Sequence, residues 1–90
     1  MNKADLIEQI AQSAEISKSA AERAVDSLVA AVKASLRKDE MVTLVGFGTF
    51  YAGKRAARVG RNPRTKEPID IKAARLPKFR AGKALKDAIN

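Results

Sequence analysis

Apolar residues near the start of the chain recur every three or four positions, which is the spacing of one face of an α-helix. In the first such segment they are Leu6, Ile7, Ile10, Ala11 and Ala14. Asn2 can cap this helix, and Asp5, three residues later, suits the positive end of the helix dipole. The pattern therefore predicts a first helix from Lys3 to about Ala14.

A longer helix is predicted to begin after a second capping residue, Ser17, and to extend to about Lys38. Its apolar stripe consists of Ala21, Ala24, Val25, Leu28, Val29, Val32 and Leu36, and Ala20 and Ala31 widen it. A helix that is apolar over so much of its circumference needs burial on two sides. The first helix can cover one side, so the other side needs a sheet or a partner chain.

Residues 41–90 change to the composition of strands. "MVTLV" (41–45) predicts one strand, "GFG" (46–48) a tight connection, and residues 49 to about 58 a second strand. "IDIKAARLPKF" (69–79) resumes strand character, and a short helix is predicted from about Gly82, with Leu85 and Ile89 facing inward. The predicted fold class is α+β, with two helices, a three-stranded antiparallel sheet and a short C-terminal helix.

The segment "GRNPRTKEPIDI" (60–71) has almost no apolar residues before Ile69, yet it interrupts two strands. Asn62-Pro63 is a strong turn signal, so residues 53–76 are predicted to form a long hairpin that protrudes as an arm. Only Glu67 and Asp70 oppose its basic side chains, which are Lys54, Arg55, Arg58, Arg61, Arg64, Lys66, Lys72 and Arg75. So many like charges on one ribbon favour a polyanionic partner. A solvated ribbon without a partner is the alternative.

Small residues between these charges keep the predicted ribbon slim: Ala56, Ala57, Gly60, Ala73 and Ala74. A slim, arginine-rich ribbon suits the minor groove of duplex DNA, whose negative potential attracts arginine. Pro63 at the predicted tip has two compatible interpretations. It is a favoured turn residue after Asn62, and it is also a rigid apolar ring that can wedge between base steps and kink a duplex.

Composition and charge narrow the function further. Without cysteine or histidine the chain lacks disulfides, the usual zinc ligands and the usual acid–base residue, so we expect neither an enzyme nor a metal or cofactor. "GFGTF" lacks the third glycine of a dinucleotide-binding loop. Residues 1–40 hold 6 basic and 7 acidic residues, whereas residues 41–90 hold 12 and 3. This asymmetry predicts a balanced scaffold that carries a polyanion-binding surface.

No signal-peptide pattern or transmembrane run is present, because such a run needs about 20 apolar residues and the longest uncharged stretch (41–53) contains three glycines. We therefore expect a soluble cytoplasmic protein that does not contact a membrane.

Four motifs make the chain resemble a known family along its whole length. They are "MNK" (1–3), "TLVGFGTF" (43–50), "RAARVGRNPRT" (55–65) and "FRAGKALKDAIN" (79–90). The chain is similar to the bacterial HU family of nucleoid-associated DNA-binding proteins, whose members are minor-groove architectural proteins. The resemblance implies one domain (1–90) with a helical dimerisation part (1–40) and a part (41–90) that holds the sheet, the arm and the last helix. It also implies an intertwined dimer whose two arms embrace double-stranded DNA.

The resemblance assigns roles to individual residues. Pro63 is expected to intercalate and kink the duplex. The arm residues expected at DNA are Arg55, Arg58, Arg61, Asn62, Pro63, Arg64, Lys66, Lys72 and Arg75, the first three in the minor groove. Phosphates on the flanks of the site are expected at Lys3, Lys83 and Lys86. The dimer core is expected to contain Leu28, Val32, Leu36, Phe47, Phe50 and Phe79. The implied function is to bend duplex DNA with little sequence preference, favouring bent, nicked or junction DNA, in the bacterial nucleoid.

The tip departs from the family pattern at one position. Family tips commonly read Asn-Pro-x-Thr-Gly, whereas this chain has Lys66 in place of the glycine, followed by Glu67 and Pro68. Glycine adopts a positive φ without strain, whereas lysine does so at a cost of about 1 kcal/mol. Pro68 also removes one hydrogen-bond donor from the ladder. The geometry of the tip turn therefore stays open.

Three other functions remain open beside the HU-like one. The first is a subunit like those of integration host factor, acting as a sequence-specific heterodimer, so that a homodimer and a heterodimer with a paralogue are both possible. The second is a small RNA-binding protein, although aromatic residues make up only 4% of the chain and none lies in the arm to stack on unpaired bases. The third is a basic module that binds an acidic protein.

Overall fold

A computed structural model describes residues 1–55, 57–71 and 73–90, and at Arg55, Arg58 and Ile71 it describes the backbone alone. Its elements, in chain order, are α1 (Lys3–Ala14), α2 (Lys18–Arg37), β1 (Val42–Leu44), β2 (Gly48–Arg55), β3 (Arg58–Arg61), β4 (Pro68–Ile71), β5 (Ala74–Ala81) and α3 (Lys83–Ile89). The predicted α+β class is thereby confirmed. The chain divides into two compact units, Met1–Ala34 and Ser35–Asn90.

Helix α1 begins and ends with local hydrogen bonds that its sequence provides. The Asp5 N–H donates to Asn2 Oδ1 at 2.9 Å, and the Asn2 N–H donates to Asp5 Oδ2 at 3.3 Å, which together form a capping box. At the other end Glu15 has a φ of 55°, and the Ile16 N–H donates to the Ala11 carbonyl at 3.0 Å. The predicted bounds of the first helix are confirmed.

Helix α2 starts where its predicted cap lies, because the Ser17 hydroxyl accepts a hydrogen bond from the Ala20 N–H at 3.0 Å. It ends at Arg37, one residue before the predicted end, and Asp39 then takes a φ of 61°. Among the described residues of the whole chain, the buried hydrophobic residues are Ala11, Ala21 and Val25, and no large side chain is fully buried. A single chain therefore encloses very little apolar volume.

The central sheet has three antiparallel strands in the order β1–β2–β5. A tight turn joins β1 to β2: the Phe47 N–H donates to the Leu44 carbonyl at 2.9 Å, and Gly46 takes the positive φ (85°) that a type II turn requires. Strand β2 pairs with β5 from Gly48 opposite Ala81 to Arg55 opposite Ala74.

The arm continues this ladder as a separate two-stranded sheet, β3–β4, paired from Arg58 opposite Ile71 to Arg61 opposite Pro68. Both sheets keep one register, so the predicted hairpin is present. The sequence pattern predicted one uninterrupted strand in each half of the hairpin, whereas the structure has two strands in each half, β2 and β3 in the first and β4 and β5 in the second. Ala57 and Ala73 lie outside the strands, in keeping with the low strand propensity of alanine.

Helix α3 follows Gly82, whose N–H donates to the Phe47 carbonyl at 2.8 Å. Leu85 is half-buried, but Ile89 is 78% exposed, so the prediction that both face inward is wrong for Ile89. As the last residue of a short helix, Ile89 extends beyond what the single chain covers. None of the helices in the described ranges combines the length and the apolar character needed to cross a bilayer.

Candidate nucleic-acid interface

The arm ends in a five-residue turn that its own polar groups hold together. The Lys66 N–H donates to the Asn62 carbonyl at 2.7 Å, and the Asn62 N–H donates to the Glu67 carbonyl at 2.9 Å. The side-chain oxygen of Asn62 accepts from the Arg64 N–H at 2.9 Å. Asn62 therefore shapes the turn through its side chain, as asparagine commonly does, and Pro63 stands exposed at the apex.

Lys66 adopts the backbone conformation that favours glycine. Its φ is 60°, in the left-handed region. The departure from the family pattern thus leaves the turn with a positive φ at this position, at a cost of about 1 kcal/mol for a residue with a Cβ. Pro68, the other unusual residue, is the first residue of β4 and lies opposite Arg61. Proline is tolerated at the first position of a strand because its missing N–H costs least there.

The described cationic side chains at the outer end of the arm are exposed and have no carboxylate partner. Arg61, Arg64 and Lys66 are all exposed. The two ion pairs in the described part of the chain both lie in the first compact unit, so neither Glu67 nor Asp70 pairs with these cations. The arm therefore presents uncompensated positive charge to solvent, as expected of a surface that binds a polyanion.

The structure does not describe the side chains of three of the predicted arm residues. Arg55 and Arg58 are described as backbone positions, opposite Ala74 and Ile71. Lys72 lies outside the described residues. Their expected roles at DNA stay predictions.

Arg75, at the base of the arm, contacts the end of helix α2. Its guanidinium Nη1 donates to the Arg37 carbonyl at 2.9 Å and approaches the Leu36 carbonyl at 3.4 Å. The last carbonyls of a helix lack partners within the helix and carry its negative dipole, so a cation stabilises them. The guanidinium that was predicted to meet DNA is therefore hydrogen-bonded within the protein. A contact from Arg75 to DNA would compete with these bonds.

Lys3, predicted to contact phosphate on the flank, is already paired. Its ammonium lies 2.7 Å from Asp26 Oδ1, and both side chains are more than half exposed. The hydrogen bond and the charge of Asp26, with a smaller contribution from Glu22, raise the pKa of Lys3 above its usual value. The other two flank lysines, Lys83 and Lys86, are exposed on α3.

The phenylalanines predicted for the dimer core form one cluster on the sheet. The Phe79 ring centroid lies 5.2 Å from that of Phe47 and 4.8 Å from that of Phe50. Gly48 makes room for this packing, since a Cβ there would lie 2.5 Å from Phe79 Cζ and 2.6 Å from the Arg80 carbonyl oxygen. Nevertheless Phe47 is 43% and Phe79 41% exposed, so the cluster is open on one side.

The helical residues predicted for the dimer core are also incompletely covered. Leu28 is 50% exposed in the first compact unit, and Val32 there is half-buried. Leu36, in the second unit, is half-buried. A protein that folds as a single chain seldom leaves so many leucine and phenylalanine side chains exposed to water.

Sequence reasoning did not single out three residues on the sheet face opposite the phenylalanines. Tyr51 and Lys78 face each other across β2 and β5, and the Arg80 guanidinium carbon lies 5.4 Å from the centroid of the Tyr51 ring. Strand alternation could have identified them, because the immediate neighbours of inward-facing Phe50 and Phe79 must lie on the other face.

With the geometry described, comparison with known proteins settles the family. The model of the family described as "Bacterial DNA-binding protein" matches residues 1–90. The chain belongs to the HU family of bacterial DNA-binding proteins. The HU-beta protein of Neisseria meningitidis serogroup A is 63% identical over 89 residues, covering 99% of this chain and 100% of that protein. Escherichia coli K12 HU-beta is 59% identical over 90 residues, with both chains covered completely.

A solved structure extends the HU likeness to three dimensions. The HU chain of an Anabaena HU–DNA cocrystal structure has a TM-score of 0.91 and 37% identity, covering 99% of this chain and 97% of that chain. The resemblance to HU inferred from the sequence motifs is thus confirmed. These HU relatives do not favour the alternative of a subunit like those of integration host factor.

Proposed function

We propose that this HU-family chain is an architectural protein that binds duplex DNA as a dimer, places its arms in the minor groove and bends the duplex. The observation that carries the proposal is the arm itself. An exposed proline stands at the apex of a hydrogen-bonded turn, directly beyond cations that no carboxylate of the described residues neutralises. The cocrystal of a similar HU protein with DNA supports the same conclusion. The proposal includes no catalysis and no cofactor.

We attribute the bending of DNA to a rigid proline, Pro63, that is held at the end of a positively charged arm. Pro63 has a fixed φ, and hydrogen bonds to Asn62 hold its turn together. The proline ring therefore keeps its orientation when it is pressed against a pair of stacked bases. Unstacking a step costs about a few kcal/mol. Cationic contacts along the bent duplex offset that cost, because each neutralised phosphate releases condensed counterions.

Low sequence preference follows from the residue types in the arm. Arginine and lysine supply most of its polar groups, and contacts to phosphates carry no sequence information. Selectivity then comes from how easily the DNA deforms. We expect tighter binding to nicked, bent or four-way-junction DNA, in which the cost of kinking is already low, and association with the bacterial nucleoid.

Dimerisation is proposed because a single chain leaves its apolar cluster open. A second copy that covers Phe47 and Phe79 in the second compact unit would remove large apolar side chains from water, at about 25 cal/mol for each Å² of apolar surface buried, and covering Leu28 in the first unit would do the same there. A paralogous HU chain could cover the same side chains, so both a homodimer and a heterodimer fit this part of the proposal.

A mobility-shift comparison tests the function directly. The protein is titrated against linear, nicked and four-way-junction DNA of equal length at fixed salt, with single- and double-stranded RNA and an acidic protein as competitors. We expect the order junction, nicked, linear in decreasing affinity. Equal affinity for all three DNAs would contradict the proposed role in bending. If RNA or the acidic protein competes more effectively than DNA does, that competitor is the favoured partner instead.

A further inference from the structure

The arm carries a carboxylate on the same face as one of the cations expected at DNA. Strands β3 and β4 pair Val59 with Asp70 and, two positions further towards the tip, Arg61 with Pro68. Directly opposed side chains share a face of a ribbon, and so do side chains two positions apart along a strand. Asp70 and Arg61 therefore lie on one face of the arm, which we call the Asp70 face.

The Asp70 carboxylate is open to solvent and is not neutralised by the described residues. Asp70 is exposed, and Val59 opposite it is 68% exposed, so no core covers this face. Arg61 is the diagonal neighbour of Asp70 across the two strands, at a distance that long side chains can bridge. The two nevertheless form no ion pair, since both ion pairs found among the described residues lie in the first compact unit. The Asp70 face thus presents an acceptor as well as a donor.

A carboxylate is unfavourable in a groove of DNA unless the DNA supplies it with a partner. Phosphates border the groove, and the negative potential there repels an anion. An ionised carboxylate can only accept hydrogen bonds, so a donor on the DNA must offset the hydration that it loses. The outcome therefore depends on which bases offer a donor.

The base pairs differ in this respect in the minor groove. A·T and T·A pairs show only the acceptors adenine N3 and thymine O2, whereas G·C pairs add the donor N2–H2 of guanine. A carboxylate can accept a hydrogen bond from guanine N2 and is repelled by the acceptors of A·T pairs. The arginine and lysine side chains of the arm only donate, so they do not favour guanine in this way.

We propose that Asp70 determines specificity, because it biases the arm towards G·C pairs and against A·T tracts in the minor groove. This inference rests on the proposed function, which places the arm in that groove, and it adds a base preference to a surface dominated by phosphate contacts. Asp70 lies two residues from the pair of Arg61 and Pro68, which is about 7 Å along the ribbon at about 3.4 Å per residue. At about 3.4 Å per base pair, the bias concerns base pairs about two positions towards the body from those at the tip.

The alternative is a carboxylate that stays in solvent and only lowers the positive charge of the arm. Its removal would then strengthen binding to every duplex by the same factor. A hydrogen bond from guanine N2 instead makes the effect of Asp70 depend on the base pair. One hydrogen bond typically changes affinity by about two- to tenfold, which is the size expected for this dependence.

The first experiment compares two duplexes that differ only in the minor groove. One contains G·C pairs, and in the other inosine replaces every guanine, which removes the N2 amino group and leaves the major-groove edge unchanged. The affinities of wild type, Asp70→Ala and Glu67→Ala are measured by titration at fixed salt. Glu67→Ala is the matched control, because it removes an equal charge from the residue just before β4.

The quantity compared is the ratio of the affinities for the G·C and inosine·C duplexes, since a difference in flexibility between the duplexes affects all variants alike. We expect Asp70→Ala to lower this ratio by about two- to tenfold and Glu67→Ala to leave it at the wild-type value. An unchanged ratio in Asp70→Ala, or an equal fall in both variants, would overturn the inference. Failure of wild type to bind either duplex would instead overturn the proposed function.

A second experiment adds the donor where it is normally absent. Replacing adenine by 2,6-diaminopurine places an amino group in the minor groove of an A·T-rich duplex. Wild type should gain more affinity from this replacement than Asp70→Ala does. Asp70→Asn keeps the shape of the side chain but can also donate to adenine N3, so it should gain less than wild type. Equal gains in wild type and both variants would show that Asp70 does not read the amino group and would overturn the inference.

Discussion

Lys3 and Asp26 form an ion pair in which the ammonium nitrogen lies 2.7 Å from Asp26 Oδ1. Both groups are largely exposed, so the pair contributes little to folding stability. The pair does occupy Lys3, which is one of the lysines expected to contact phosphates on the flanks of the DNA site. Lys3 must therefore separate from Asp26 before its ammonium group can contact DNA fully.

Asp26→Asn should therefore strengthen binding to a duplex that reaches the flanks. Because both side chains are largely exposed and screened by solvent, the expected gain in affinity is small, a few-fold at most per protomer. Glu22→Gln is the matched control, since Glu22 raises the pKa of Lys3 through its charge alone. Affinity is measured by titration of a labelled duplex at low salt. An equal gain in both variants would mean that general charge, not the ion pair, limits binding.

Pro63→Ala should separate binding from bending. The variant keeps every positive charge, so affinity for linear DNA should survive largely intact, whereas alanine is too small to hold two base pairs apart. We expect a smaller bend and a weaker preference for nicked DNA. The bend is measured as the end-to-end distance of a labelled duplex by energy transfer at saturating protein. Pro68→Ala, which changes the other proline of the tip region, should leave the bend unchanged, and an unaltered bend in Pro63→Ala would make Pro63 a turn residue only.

Lys66 offers a comparison between two neutral substitutions. With its φ at 60°, Lys66→Gly should stabilise the tip by about 1 kcal/mol relative to Lys66→Ala, because both remove the charge and only the alanine keeps a Cβ. Hydrogen exchange of the Lys66 amide, which donates to the Asn62 carbonyl, reports on the turn itself. Slower exchange in the alanine variant would contradict the left-handed conformation.

Leu28 tests the dimer. Because Leu28 is 50% exposed in the single chain, Leu28→Ser should weaken self-association and make unfolding depend more steeply on protein concentration. Burial of a leucine is worth about 1.5–3 kcal/mol, so the unfolding midpoint should fall by several degrees. Val59→Ser on the arm, where the valine is 68% exposed, should change neither property. Sedimentation at micromolar concentration checks the outcome, and a stable wild-type monomer would contradict it.

The features that the sequence predicted well are local ones. Asn2 and Ser17 form their capping bonds with residues three positions away, so the starts of α1 and α2 could be predicted from short windows. The turn at Asn62-Pro63 depends on neighbouring residues in the same way.

Features that depend on distant pairs could not be predicted. The contact of Arg75 with the Arg37 carbonyl spans 38 positions, and composition alone placed that arginine among the arm cations. The Lys78 side chain approaches Gly53 so closely that a Cβ there would lie 2.7 Å from Lys78 Cε, and this approach depends on the register between β2 and β5. The exposure of Ile89 depends on what covers the last turn of α3, which its own helical spacing does not reveal.

The contacts of Arg75 also determine where mechanical load goes. A duplex resists bending, with a persistence length of about 50 nm. A protein that holds DNA bent therefore experiences the elastic restoring force of the DNA at the residues that contact it. For an arm, that force acts as torque at the base, where β2 and β5 enter the body. There the Arg75 guanidinium, which donates a hydrogen bond to the Arg37 carbonyl, attaches the ribbon to the end of α2. Arg75 is thus placed as a brace, and its removal should make the arm more compliant without altering the charge at its tip.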